Sequence, residues 1–317
     1  MKILKNFSKN LIALSQLFCT SSFLFIALTA FLTSGLLIAK PTPTPEKQIN
    51  IVMDLGGVTL STDKSAFLKH IGKWNGFKAW LNQDKMRDEM FALFEAVKPR
   101  NDKDKNAKDD RGRPLPQLMI DWMKGDIQGT EALTLIEKFL KENPTSFKSN
   151  DINLLKNLIQ VMFDHEKFVD TQKIYCGACE FAQSCKKRGY NVYVMSNWPN
   201  TSTLLQEKHN NFFNLCDGII LSADAHELKP NKAIYDFFIK KMDCEQATTI
   251  LIDDQIDNVK GAEKAGWHGI LCLKNDDDNP DFEEVDTKLR TLVKSIAPEH
   301  PSVKPPLVVV SQDNDEE

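Results

Sequence analysis

Asp253 and Asp254 follow directly on the apolar run Ile250-Leu251-Ile252, so a strand that reads as buried delivers two adjacent carboxylates to its end. Adjacent carboxylates repel one another unless something neutralises them. A hard divalent cation does so, and magnesium in particular takes a few carboxylates, carbonyls, waters and phosphate oxygens. The bland alternative is a solvated acidic turn, but the end of a parallel strand is a binding edge, which favours the metal. Asp257 is expected to face solvent, and Asn258 to hydrogen-bond a ligand carboxylate.

A third carboxylate ends another apolar run, in Met53-Asp54-Leu55-Gly56-Gly57-Val58. An aspartate there can attack phosphorus and form an aspartyl-phosphate, dividing one difficult transfer into two easier steps. Taken alone it is equally an aspartate capping a glycine turn. Ser196 and Asn197 end a further run and can donate hydrogen bonds to phosphoryl oxygens, or simply make a polar turn. Lys229 lies in a loop just before the helical Lys232-Ala233-Ile234-Tyr235. An ammonium there can balance a phosphate and a nearby carboxylate, although most lysines only solvate a surface.

The elements that must position these groups are five short apolar runs: Ile49 to Met53, Val192 to Met195, Gly218 to Leu221, Thr249 to Ile252 and Gly269 to Leu273. Each ends in polar residues and leads into helical sequence, the pattern of a parallel sheet with crossover helices. Between the first two runs lie amphipathic stretches at Phe67–Trp80, Lys85–Val97, Leu118–Met123, Thr130–Leu140 and Ile152–Phe163, too many for one crossover. The fold class expected is α/β, a Rossmann-like parallel sheet core at residues 49–64 and 181–297, with an inserted α-helical cap domain at 65–180. Inside the cap, Lys98–Gln117 is charged and poor in large apolar residues, so it reads as an exposed loop. Residues 298–317, with several prolines and the acidic run Asp313–Glu317, read as a disordered tail.

The ordered set Asp54-x-Gly56-x-Val58, Ser196-Asn197, Lys229-Pro230 and Asp253-Asp254-x-x-x-Asn258 resembles the four signature motifs of the haloacid dehalogenase superfamily, over roughly Ile49 to Leu273. The stretches Lys229–Tyr235 and Asn258–Trp267 resemble the helical-cap subfamily, and the Asp-Leu-Gly-Gly-Val start resembles its sugar-phosphate (glucose-1-phosphate) phosphatase branch. The resemblance implies Asp54 as nucleophile and magnesium ligand, the Gly56 carbonyl as second ligand and Asp254 as third, with Asp253 and Asn258 supporting. It implies that Ser196 and Asn197 hold the transferring phosphoryl group and that Lys229 orients Asp54. The expected activity is magnesium-dependent hydrolysis of a small phosphorylated metabolite.

One position departs from the family's phosphatases, which carry a second aspartate two residues after the nucleophile as general acid. Here it is Gly56. Losing such a group costs about 10²–10⁴ in rate, so a substrate with a good leaving group is expected, such as an anomeric sugar phosphate or an acyl phosphate. Two rivals stand beside the phosphatase: a haloacid dehalogenase, which lacks the acidic pair, and a catalytically degenerate domain that only binds.

Before residue 49 the chain changes character. Lys2, Lys5 and Lys9 precede an uncharged, mostly apolar stretch from Leu11 to Ala39, which reads as a signal peptide or a membrane anchor over residues 1–39. The lysines place the remainder outside the cytoplasm, tethered to the membrane by this segment or released by cleavage. Alternating prolines at 41, 43 and 45 make residues 40–48 an extended linker. A net charge of −4 gives no broad basic field, which argues against nucleic acid as partner. Cys176 and Cys179 read either as small apolar residues on the helix before the second strand or as a disulfide, and no second pair completes a zinc site. Trp74, Trp80 and Trp122 are expected in the cap core, and His226 is near enough in sequence to reach the Lys229 site.

Overall fold

A computed structural model describes residues 47–73, 75–76, 83–101, 107–109, 111–144 and 151–303. The chain divides after Glu46, and all of these belong to the second unit, Lys47–Glu317. The expected signal or anchor at 1–39, most of the linker, Trp74, Trp80 and the acidic run lie outside the described residues. Among the described residues no helix is long and apolar enough to cross a membrane.

The chain enters through β1 (Asn50–Met53) and turns into β2 (Leu60–Thr62). The helices α1 (Lys64–Ile71), α2 (Gln83–Val97), α3 (Gln117–Met123), α4 (Gly129–Glu142), α5 (Ile152–Phe163) and α6 (His165–Asp170) follow. Aspartates at the N-caps of α1, α5 and α6 accept backbone N–H groups that the first helical turn leaves unpaired. β3 (Gln172–Ile174) then returns the chain by pairing antiparallel with β2. The remaining elements are α7 (Cys176–Lys187), β4 (Asn191–Ser196), α8 (Ser202–Lys208), α9 (Asn210–Phe213), β5 (Gly218–Leu221), α10 (Ser222–Ala225), α11 (Lys232–Met242), β6 (Thr249–Asp253), α12 (Ile256–Lys264), β7 (His268–Leu271) and α13 (Phe282–Ile296).

The five expected strands form one parallel sheet in the order β5-β4-β1-β6-β7. Alternate side chains leave opposite faces of a strand, and both faces are covered. Ile51, Met53, Val192, Val194, Ile250 and Ile252 pack under α7 and α13, while Val52, Tyr193, Met195 and Leu251 pack against α11 and α12. Met53 stands beside both Val194 and Ile252, so Asp54, Met195 and Asp253 come level at one edge of the sheet. The α2–α5 helices bury a separate cluster around Phe94, Leu118, Trp122, Ile136, Leu155 and Phe163.

Three boundaries differ from the sequence reading. The chain rejoins the core at β3 and α7, before the expected 180/181 boundary, because Ala178, Phe181 and Cys185 face the sheet. The interval 98–117 is not simply exposed. Ala107 and Leu115 are buried in the cap cluster, and Arg113 holds Asp109 while Arg111 and Arg113 reach Asp84 and Asp88 of α2. Of the tail, residues 298–303 pack on the core: the His300 ring lies 5.2 Å from that of Tyr190, whose hydroxyl pairs with Ser302 at 2.7 Å.

Candidate active site

Lys229 is the centre of the site and is almost wholly buried, with 1% of its surface exposed. Its ammonium donates to Asp54 Oδ1 at 2.8 Å, Asp253 Oδ2 at 2.6 Å and the Met195 carbonyl at 3.1 Å. A lysine has three N–H donors, so all are engaged. Lys229 therefore acts by fixing Asp54 and offsetting its charge, and retains no donor for a ligand. Burial alone would lower the ammonium's pKa, but the Asp253 and Asp54 carboxylates outweigh it and hold it above its ordinary value.

The loop carrying Lys229 is pinned from two sides. Asn197 Nδ2 donates to the Lys229 carbonyl at 2.9 Å, and the Lys229 N–H donates to Asn197 Oδ1 at 2.8 Å. Asn197, expected to hold a phosphoryl group, thus has its carbonyl and one amide N–H committed to the backbone of Lys229, with one N–H left. From the cap, Lys124 faces Glu227 at 3.9 Å, Asp126 faces His226 at 3.2 Å, and Leu228 is buried in the cap cluster. His226 consequently turns to Asp126 rather than reaching the Lys229 site.

The acidic cluster is assembled from two neighbouring strand ends. Carboxylate oxygens of Asp54, Asp253 and Asp254 all lie within 4.8 Å of one another. Asp253 is fully buried and fully used: beyond Lys229, its Oδ1 accepts from the Gln255 N–H and from Asn258 Nδ2, both at 2.9 Å. Asp254 is the opposite case, since its Oδ1 is buried with no hydrogen-bond partner. Burial first, then the charges of Asp54 and Asp253, push its carboxyl up to about 7. Burial likewise raises Asp54, with Asp253 adding to it, while the Lys229 ammonium and Ser196 hydroxyl pull it down. Three carboxylates against one ammonium, with an orphaned oxygen among them, fit a hard divalent cation. Asp257, by contrast, is exposed and pairs with Lys108 of the cap at 3.0 Å.

Gly57 permits this packing. It adopts φ +77°, and a Cβ there would lie 2.1 Å from Asp254 Oδ2. Gly57→Ala is expected to cost about 1–2 kcal/mol for the left-handed backbone and to displace Asp254. Denaturant unfolding checks the first effect, and a magnesium titration, expected to show at least about tenfold weaker binding, checks the second.

Asp54, Gly56, Ser196, Asn197, Lys229, Asp254 and Asn258 all line one cavity of about 1410 Å³, larger than the few hundred to about 1,000 Å³ usual for small-ligand pockets. The sequence reading missed its aromatic wall. Trp198 and Phe168 face the same cavity, with ring centroids 5.0 Å apart. Trp198 directly follows Ser196-Asn197, which is a signal; Phe168 carries none, because only folding brings α6 beside β4. Cys176 also lines the cavity, and the six cysteines among the described residues are free thiols.

Residues 119–272, just under half of the chain, match the family of haloacid dehalogenase-like hydrolases. The matched span carries Ser196-Asn197, Lys229-Pro230 and Asp253-Asp254. In its parallel sheet, helical cap and motif-bearing edge, the chain is similar to the haloacid dehalogenase-like hydrolases whose model the span matches. A curated relative, the sesquiterpene phosphatase astK of Aspergillus oryzae, is 36% identical over 86 residues, covering 27% of this chain and 43% of the relative. The match thus spans less than half of the relative's length. Among solved structures, the HAD family enzyme bt-2542 of Bacteroides thetaiotaomicron is 15% identical with a TM-score of 0.48, covering 76% of this chain and 99% of that one. The putative HAD-hydrolase YfnB of Bacillus subtilis is 14% identical with a TM-score of 0.47, covering 77% and 99%.

Proposed function

We propose that the protein is a magnesium-dependent phosphohydrolase that acts on a small phosphorylated metabolite through an aspartyl-phosphate at Asp54. The observation that carries this reading is the orphaned Oδ1 of Asp254, buried beside two further carboxylates, Asp54 and Asp253, that Lys229 holds in place. Asp54, Asp254 and the Gly56 carbonyl would hold the cation. Magnesium, when bound, would neutralise the carboxylates and draw charge from phosphoryl oxygens.

Asp54 attacks phosphorus and expels the leaving-group oxygen, and water then attacks phosphorus and regenerates the carboxylate. Lys229 keeps Asp54 oriented throughout. The remaining Asn197 N–H is the donor available to the transferring group, and the single Ser196 O–H, which engages Asp54, would have to turn from it to donate there as well. Gly56 supplies no proton, so the leaving group must depart as a stable anion.

The acidic trio argues against a dehalogenase, for which a cation has no use. The sesquiterpene phosphatase likeness also supports a phosphate ester over a haloacid. The test is phosphate release on a panel of sugar, acyl and alkyl phosphates, with magnesium and with chelator. Turnover on acyl phosphates that chelation abolishes is expected, and turnover unaffected by chelation would remove the reading.

A further inference from the structure

At the position where the family's phosphatases place an acid, this site presents aromatic rings. A side chain begun at Gly56 would meet ring carbon Cζ3 of Trp198 at 3.8 Å. The Trp198 ring is held in place. Its indole N–H donates to Thr201 Oγ1 at 3.1 Å, its backbone N–H donates to Ser222 Oγ at 2.9 Å, and Phe168 lies against it at an interplanar angle of 37°. Phe168 rests in turn on Trp122 of the cap, with centroids 5.4 Å apart, so core and cap share one aromatic wall. Ile174 of β3 lines the same cavity.

The geometry points to a phosphate ester of an apolar, planar alcohol, an aryl or similarly conjugated one, as the substrate class, an inference that rests on the phosphohydrolase reading above. Two separate features of the site converge on it. A flat apolar group next to Gly56 gains burial and ring-to-ring contact with Trp198 and Phe168. An aryl-type oxide also departs as a stable anion, so it does not require the proton that Gly56 cannot give. A sugar would bring hydroxyls to a wall whose one donor, the Trp198 indole N–H, is already taken, and buried hydroxyls without partners are unfavourable. This narrows the substrate away from the anomeric sugar phosphates suggested by the sequence.

The experiment compares binding of phenylphosphonate and methylphosphonate, neither of which can be hydrolysed, to the full-length protein in magnesium by calorimetry. The same pair is measured on Trp198→Leu, Phe168→Leu and Trp198→Phe, and acetyl phosphate turnover is measured in parallel on the wild type. Phenylphosphonate is expected to bind about tenfold or more tightly, from the area its ring buries. That ratio is expected to fall severalfold in both leucine variants and to recover in Trp198→Phe. Being a ratio within one variant, it does not depend on the fraction folded. A wild-type ratio near one, or a ratio unchanged in both leucine variants, overturns the aromatic subsite. If acetyl phosphate is hydrolysed while the ratio is near one, the inference alone fails. If acetyl phosphate is not hydrolysed and neither phosphonate binds, the phosphohydrolase reading fails and takes the inference with it.

Discussion

Replacing Lys229 by methionine is expected to destabilise the magnesium-free protein by about 3–5 kcal/mol, the scale of breaking a buried ion pair from one side. Methionine fills similar space but removes three hydrogen bonds at once, to Asp54, Asp253 and the Met195 carbonyl. Two buried carboxylates then face each other with no cation; Asp54 touches the cavity, but Asp253 is fully buried and cannot reach water without moving a strand end. Urea unfolding measures the loss. Adding magnesium is expected to recover part of it, since the cation offsets the same charges. Turnover is expected to fall by about 10²–10³ or more, because Asp54 loses the group that orients it. A loss below about 1 kcal/mol, the level of an exposed ion pair, would contradict the arrangement.

Gly56→Asp is expected to raise turnover of alkyl phosphates by up to about 10²–10⁴ and to change turnover of acyl phosphates little. The substitution is sterically open: the backbone at Gly56 is outside the left-handed region, and only Trp198 lies within ordinary contact distance of a new Cβ. An acid placed there can protonate a poor leaving group, whereas an acyl phosphate leaves as a carboxylate and gains nothing. Steady-state kcat/KM on one alkyl and one acyl phosphate settles the matter. Equal change on both substrates would show that leaving-group protonation is not what this site lacks.

These two residues illustrate which parts of the site the sequence makes legible. Buried parallel strands are near-continuous apolar runs, so β1, β4, β5, β6 and β7 stand out, and Asp54 and Asp253-Asp254 are conspicuous at their ends. The motif order then supplies Ser196, Asn197 and Lys229. What Lys229 does with its protons is not legible, because its three acceptors lie 175, 24 and 34 residues away and the last is a backbone carbonyl. Nor is the second task of Asn197, which clamps that lysine's backbone. The β2–β3 ribbon escapes for a different reason: Leu60-Ser61-Thr62 and Gln172-Lys173-Ile174 are too short and too polar for an alternating pattern to register. The interval 98–117 and residues 298–303 were misread because composition reports solubility, whereas ion pairs to α2 and contacts with Tyr190 hold them. The Trp198–Phe168 wall joins residues from two elements that no local pattern links.

The claim on which the rest depends is that Asp54 takes the phosphoryl group. The most direct measurement is acid quench of the protein during turnover of acetyl phosphate in magnesium, followed by borohydride reduction and peptide mass spectrometry. An aspartyl-phosphate is reduced under these conditions, so the account predicts homoserine at position 54 and none in Asp54→Asn. Homoserine at another aspartate, or turnover that continues in Asp54→Asn, would contradict it.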